Sequence, residues 1–350
     1  VRVLFIVKKR PDYCSEYDCE TYSYADSFGG LYNSARFVVE MLNAHGITAK
    51  VVLVVDNNSI DREVTAFKPD VVIIEALWVV PEKFAVLTEL HPHVEWVVRI
   101  HSEIPFLATE GIAMDWIVRY LAFDSVSVAC NSKRATEDLQ IVASEHYNPV
   151  LARDKVVYLP NWYPSTPIKA AKKPDGWLDI GCFGAIRPFK NQLIQAIAAI
   201  DFAKSADKFL SFHINASRCE QQGDNILKNL RALFAGTSNL LVEHPWQDHD
   251  DFLKTVAQMD ASMAVSFTET FNIVSADAVV CRVPIVVSSE VSWAASTCVA
   301  DTTDIDSIVS ALKRVTSQPR KWLAIQLNLR NLGKYDSSSV STWLDYLQTV

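Results

Sequence analysis

The chain has 350 residues, 49% of them hydrophobic and 21% charged. That is a globular composition, long enough for two domains with a core in each. Its formal net charge of −8 weighs against a protein that grips nucleic acid chiefly by neutralising phosphates. Seven cysteines without a Cys-x-x-Cys pair weigh against a disulfide framework or a zinc site and read as reduced thiols.

Val1–Val7 is a continuous apolar run suited to a strand covered on both faces. Lys8, Lys9 and Arg10 follow it, the reverse of the order in a secretory leader. The longest apolar stretch, Val71–Val80, is interrupted by Glu75 and is too short to span a membrane. These features predict a cytoplasmic chain with no integral membrane association.

After a long polar loop, Lys8–Phe28, Gly29-Gly30 opens a helix over Leu31–Ala44, with apolar residues at helical spacing and Gly46 as its stop. Strands are predicted at Thr48–Val55, Val71–Ile74, Trp96–Ile100, Ser125–Ala129 and Lys155–Leu159, mostly with helices between them. A segment rich in Pro, Lys and Ala, Pro164–Pro174, reads as a linker.

The pattern then restarts. Strands are expected at Trp177–Phe183, Phe209–Asn215, Asn239–Glu243, Ala261–Phe267 and Pro284–Ser288. Helices are expected at Asn191–Phe202, Asn225–Phe234, Asp250–Met259, Asn272–Val280, Ile305–Thr316 and Lys321–Leu332. Alternating strands and helices predict an α/β chain with parallel sheets covered on both faces. The predicted domains are 1–164, 175–332 and a C-terminal segment, 333–350, that packs back on the first.

Ligands of such sheets bind beyond the carboxyl ends of the strands, and the informative residues follow strands. Arg187 and Lys190 lie three apart in the loop after Trp177–Phe183. Two cations at a helix start are mildly unfavourable unless an anion joins them, and a diphosphate would do so. Arg offers it a planar fork and Lys a point charge. Glu269 ends a later strand, and Asp277 lies eight residues on in the next helix, so two carboxylates can bracket one ligand. Amides near Asn272 and Ile273 would be helix-start donors for phosphate. His91 and His93 flank Pro92 and read as a solvated loop rather than a metal pair. No metal is expected, since Arg187 and Lys190 can do a divalent ion's work on phosphate.

Together these clusters resemble the family 4 retaining glycosyltransferases. Phe183–Asn191 is similar to that family's strand-loop-helix with its Gly, Arg and Lys in order, and Glu269–Asp277 to its Glu-x7-Glu signature. Val283-Pro284-Ile285-Val286, Gly29-Gly30, Lys68-Pro69-Asp70-Val71-Val72, His101, Asn131-Ser132 and Pro160-Asn161 also resemble family landmarks. The resemblance covers most of the chain thinly and is specific in the C-terminal half. It implies a GT-B fold: two Rossmann-like domains with parallel sheets facing across a cleft.

The resemblance also implies roles. Arg187 and Lys190, after Gly184, would hold the donor pyrophosphate. Glu269 would bind sugar hydroxyls, and Asp277 the ribose. The segment Phe271-Asn272-Ile273 would contact phosphate, and Gly30 would let the first loop approach it. Trp246, within His244-Pro245-Trp246, would hold the base, and His101 would face the transferred sugar. No cofactor is implied beyond a nucleotide-sugar donor, most commonly a UDP-sugar in that family. Departures are Asp277 in place of the second Glu, Arg282 where the family has Gly after the helix, and Thr270 and Asn272 where glycines are usual.

Acceptor contacts are expected from Tyr22, Tyr24 and Glu103. The N-terminal half also resembles glycosyltransferases of tailed phages, which implies a 5-hydroxymethylated pyrimidine in DNA as one acceptor class and host cytoplasm as the location. A saccharide or lipid-linked glycan is the other class. A nucleotide-sugar epimerase and a non-catalytic sugar-nucleotide binding protein are the competing readings. The sequence does not specify an oligomeric state.

Overall fold

The computed structural model describes residues 1–9, 29–164 and 176–350. Two compact units divide them. The first comprises residues 1–9, Gly29–Pro164 and Tyr335–Val350, and the second residues 176–334.

In the first unit the chain alternates β1 (Arg2–Lys8), α1 (Gly30–Ala44), β2 (Thr48–Val54), α2 (Ser59–Phe67), β3 (Val71–Glu75), α3 (Pro81–Leu90) and β4 (Glu95–Ile100). It continues through α4 (Ile104–Leu107), α5 (Ala113–Tyr120), β5 (Val126–Cys130), α6 (Lys133–His146), α7 (Pro149–Lys155) and β6 (Val156–Tyr158). The six strands pair in parallel in the order β2-β1-β3-β4-β5-β6.

Strand alternation builds two cores from one sheet. Val3, Phe5 and Val7 of β1 pack with Ala35, Val38 and Leu42 of α1. Leu4 and Ile6 point the other way, to Phe84 of α3 and Trp96 of β4. Covered on both faces, β1 and β3 carry the apolar runs Val3–Val7 and Val71–Ile74, and β3 ends on the buried Glu75.

The second unit holds β7 (Trp177–Gly181), α8 (Gln192–Ser205), β8 (Phe209–Asn215), α9 (Gly223–Phe234), β9 (Leu240–His244), α10 (His249–Val256) and β10 (Ala261–Ala264). It closes with α11 (Ile273–Val280), β11 (Ile285–Val287), α12 (Ile305–Thr316) and the start of α13 (Arg320–Thr349). Its five parallel strands run β11-β10-β7-β8-β9. Both sheets contain a switch point, between β1 and β3 and between β7 and β10, where neighbouring connections leave in opposite directions.

Several element ends shift by one to three residues from expectation, and two differences have a clear physical reason. β10 stops at Ala264, three residues before the expected Phe267. Beyond it the Val265 amide donates to the Gln195 side chain and the Phe267 amide to the Phe189 carbonyl, so the backbone finds partners outside the ladder. α13 continues past the expected Leu332 to Thr349. Its buried stripe, Ala324, Asn328, Leu332, Asp336, Ser339, Trp343 and Leu347, keeps helical spacing but includes three polar residues, which hide it from a hydrophobic reading.

Candidate functional site

In the second unit, the loop after β7 meets the exit of β10 at the switch point. Gly184 has φ +108 and its amide donates to Asn215 Oδ1 at 2.9 Å. Asn191, left-handed at φ +56, donates from its side chain to the carbonyls of Val265 (3.0 Å) and Thr302 (2.8 Å). The Gln195 carboxamide donates to the Lys190 carbonyl at 2.7 Å. These bonds tie the loop to the end of β8 and, through Val265, to the exit of β10, and Lys190 Nζ lies 2.5 Å from Glu269 Oε1, with the two side chains 14% and 7% exposed.

Burial pushes the Glu269 carboxyl upward, but the Lys190 and Arg187 charges outweigh it and hold the group below the usual range. Glu269 is therefore a carboxylate, able to accept hydrogen bonds from hydroxyls. Arg187 Nη1 lies 3.4 Å from Glu220 Oε2. The buried hydroxyls of Thr268, Ser275 and Ser288 have no hydrogen-bond partner among the described residues. Such groups at a strand-end site suit a polar ligand.

Asn272 is left-handed (φ +59) and caps α11 by accepting the Ser275 amide at 2.8 Å, while Ile273 opens the helix. The Asp277 carboxylate takes His249 Nε2 at 2.8 Å. Phe271 is buried, its ring against Trp293 and its carbonyl accepting the Trp293 indole N–H at 2.7 Å. Half-buried Trp246 carries the Arg218 guanidinium 4.9 Å from its ring centre.

In the first unit, Glu75 and Arg99 are register partners across β3 and β4 and are both fully buried. Arg99 Nη1 donates to Glu75 at 3.0 Å. Its remaining nitrogens reach the carbonyls of Leu159 and Pro160 (both 3.0 Å) and Asn161 Oδ1 (2.6 Å). His101, just past β4, bonds through Nε2 to Glu75 and through Nδ1 to Asn131 Nδ2 at 3.2 Å. Desolvation, with Arg99 nearby, outweighs the pull of Glu75 and holds the His101 pKa below its ordinary value. These contacts assign a neutral ring with the proton on Nε2, donating to Glu75 and accepting from Asn131.

Glu103 is buried with its carboxylate on Ser132 Oγ (2.6 Å) and Arg134 Nε (3.2 Å), at the start of α6. Gly30 is the first residue of α1. Tyr22 and Tyr24 lie outside the described residues. His91, expected in a solvated loop, is instead buried with Nε2 2.8 Å from Asp61 Oδ1. Among the described residues no group of three or more His, Cys, Asp or Glu side chains could hold a metal ion.

The structure thus brings Arg187, Lys190, Gly184, Glu269 and Asn272 into one neighbourhood of the second unit. It adds Glu220, Arg218 and His249, which sequence reasoning did not single out. Glu75 and Arg99 had a visible signal: each is a charge inside an apolar strand, and a buried charge requires a partner.

No family model matches the chain, and no curated protein matches it in sequence. Solved structures do resemble it. The trehalose-6-phosphate synthase OtsA superposes with a TM-score of 0.70 at 11% identity, covering 100% of this chain and 99% of that one. Sucrose-phosphate synthase from Thermosynechococcus elongatus gives 0.67 at 11% identity, with 100% and 99% covered. HepE from Anabaena, in complex with UDP and glucose, gives 0.65 at 12% identity and covers both chains completely. The chain accordingly has the GT-B fold, an α/β architecture with parallel sheets of six and five strands. Among the described residues no helix is long and apolar enough to cross a membrane.

Proposed function

We propose that the chain is a glycosyltransferase that moves a sugar from a UDP-sugar to a hydroxyl acceptor with retention of anomeric configuration. The observation that carries this reading is the Lys190–Glu269 pair beside Arg187 at the switch point of the second sheet. In the free protein each charge has a partner. A donor diphosphate would recruit Arg187 and Lys190, and their positive charge would offset the negative charge that develops on the departing nucleotide. Glu269, released from part of its load, would accept from sugar hydroxyls. Asp277, oriented by His249, would accept from the ribose.

Retention requires no side-chain nucleophile in this reading: the acceptor hydroxyl attacks on the face the nucleotide leaves, and the departing phosphate oxygen takes its proton. His101, held neutral by burial with Arg99 nearby and oriented by Glu75, would donate no charge to the sugar and would serve as a shaped polar wall. A saccharide acceptor fits the acidic chain better than duplex DNA, because a net charge of −8 repels a phosphate backbone.

The test is UDP release from a panel of UDP-sugars, with saccharide acceptors and with hydroxymethylated DNA, and the product anomer read by NMR. Arg187→Ala and Lys190→Ala should each lower turnover by roughly 10²-fold or more. Epimerised donor without an acceptor, or donor bound without turnover, would replace this reading with an epimerase or a binding protein. An inverted product would overturn retention.

A further inference from the structure

The loop between β8 and α9 is built against the Arg187 loop in a way the fold alone does not demand. The Ile186 amide donates to the Arg218 carbonyl at 2.8 Å, and the Glu220 amide donates to the Ile186 carbonyl at 2.9 Å. The next two residues, Gln221 (φ +48) and Gln222 (φ +69), are both left-handed without being glycine. Gly223 follows, where an added Cβ would lie 2.0 Å from the Ile186 carbonyl oxygen. Consecutive non-glycine residues in this region are strained, and such strain persists where surrounding contacts impose it.

The contacts imposed here concern charge. Glu220 Oε1 accepts from Arg218 Nε (2.8 Å) and Nη2 (2.6 Å), while Glu220 Oε2 faces Arg187 Nη1 at 3.4 Å. Arg218 in turn lies over Trp246. Glu220 therefore bridges the loops after β7 and β8, and Arg218 extends the contact to Trp246 in the loop after the adjacent strand β9. Arg218 is 28% exposed, and its Nη1 has no hydrogen bond among the described residues. Among the described residues, the ion pairs of Arg187, Lys190 and Arg218 with Glu220 and Glu269 set three positive charges against two negative ones.

We propose that Arg218 is a third cation of this site, gripping the nucleoside half of a nucleoside diphosphate beside Trp246. Glu220 is the positioning residue that holds Arg187 and Arg218 apart for the two halves of that ligand. Arg187 sits in the loop that carries Lys190, so it takes the phosphates. Arg218 sits on the aromatic ring, where a guanidinium presents a flat face and an open N–H edge to a base or ribose. The inference rests on the nucleotide-donor reading above and assigns its two ends to different residues.

The test is calorimetric binding of UDP and of inorganic pyrophosphate to the full chain and to Arg218→Met, Arg187→Met and Glu220→Gln. Arg218→Met should weaken UDP about tenfold and change pyrophosphate less than about twofold. Arg187→Met should weaken both ligands. Glu220→Gln has a discriminating sign. If Glu220 only neutralised its neighbours, removing its charge would tighten an anion; as a positioning residue its loss weakens UDP.

Tighter or unchanged UDP binding by Glu220→Gln overturns the positioning role. Unchanged UDP binding by Arg218→Met overturns the third cation, and that arm stands even if Glu220→Gln does not fold. If the unaltered chain binds neither ligand, the nucleotide-donor reading fails and takes this inference with it.

Discussion

At the scale of residues, the buried ion pairs add little net stability to their units. Two charges moved out of water lose hydration that their mutual attraction only partly returns, yet removing one partner leaves the other stranded. Lys190→Met should therefore destabilise the chain by about 3 kcal/mol near neutral pH, read by urea denaturation, because Glu269 remains buried without its main partner. Lys190→Met with Glu269→Leu should recover most of that loss while leaving the chain inactive, which separates folding from function.

The acid side of the stability profile follows from the same groups. Glu269 and Glu75 are both held below the ordinary carboxylate range against the upward push of burial, so they contribute stability above about pH 4.5 that is lost as the pH falls through their folded values. His101 is also held low, so below its unfolded value of 6.5 the unfolded chain takes up a proton that the folded chain refuses, and stability declines. His101→Gln should flatten the dependence of the thermal midpoint on pH between 6.5 and 5. Arg187, Lys190 and Glu269 were legible in the sequence because they follow strands in loop chemistry of their own. Glu75 registered only as an interruption of an apolar run and Arg99 was not singled out, since their pairing is decided by the register of β3 against β4.

At the scale of elements, α11 shows how the local sequence sets the site. Asn272 tolerates the left-handed turn and caps the helix, so Asn272→Ala should cost about 1–2 kcal/mol and loosen the segment after Glu269. At the other end, Arg282 occupies φ +59 just past the helix, the position where glycine is favoured, and it is exposed. Arg282→Gly should raise stability by about 0.5–1 kcal/mol, relieving backbone strain at a position whose side chain packs little. Thermal unfolding of the variant checks the sign. The helix start was readable from its cap and apolar run, whereas the early end of β10 depends on Gln195, a residue 70 positions away from the amide it receives.

At the scale of the whole molecule, the C-terminal turns of α13 complete the first unit. Trp343 is fully buried against Phe5, donates its indole N–H to the Pro160 carbonyl at 2.8 Å, and lies 5.4 Å from the Arg99 guanidinium. Trp343→Ala should cost about 3–5 kcal/mol. Beside it, Asp336 accepts the Tyr163 amide at 3.0 Å through one oxygen while its other oxygen is buried without a partner among the described residues, and burial raises its pKa to about 7. A raised carboxyl binds its proton more tightly in the folded chain, so this group favours folding in acid and disfavours it increasingly above pH 3.8 until about 7. Asp336→Asn keeps an acceptor for Tyr163 and removes the charge. It should stabilise the chain by on the order of 2 kcal/mol at pH 8, with the gain fading toward pH 4.

The sequence by itself determined the alternation of strands and helices, the restart of the pattern near residue 175 and the cationic and acidic strand-end loops, because each is written in neighbours a few residues apart. Apolar runs, caps and glycines act locally, and their periods survive without knowledge of the fold. Only the tertiary structure decided that Glu75 meets Arg99 and His101, that Glu220 joins Arg187 to Arg218, and that a helix stripe containing Asn328, Asp336 and Ser339 is buried. Those pairings depend on strand register and on loops brought together from distant parts of the chain. A buried charge or amide is stabilised by its partner in space, and its own sequence window says only that a partner must exist.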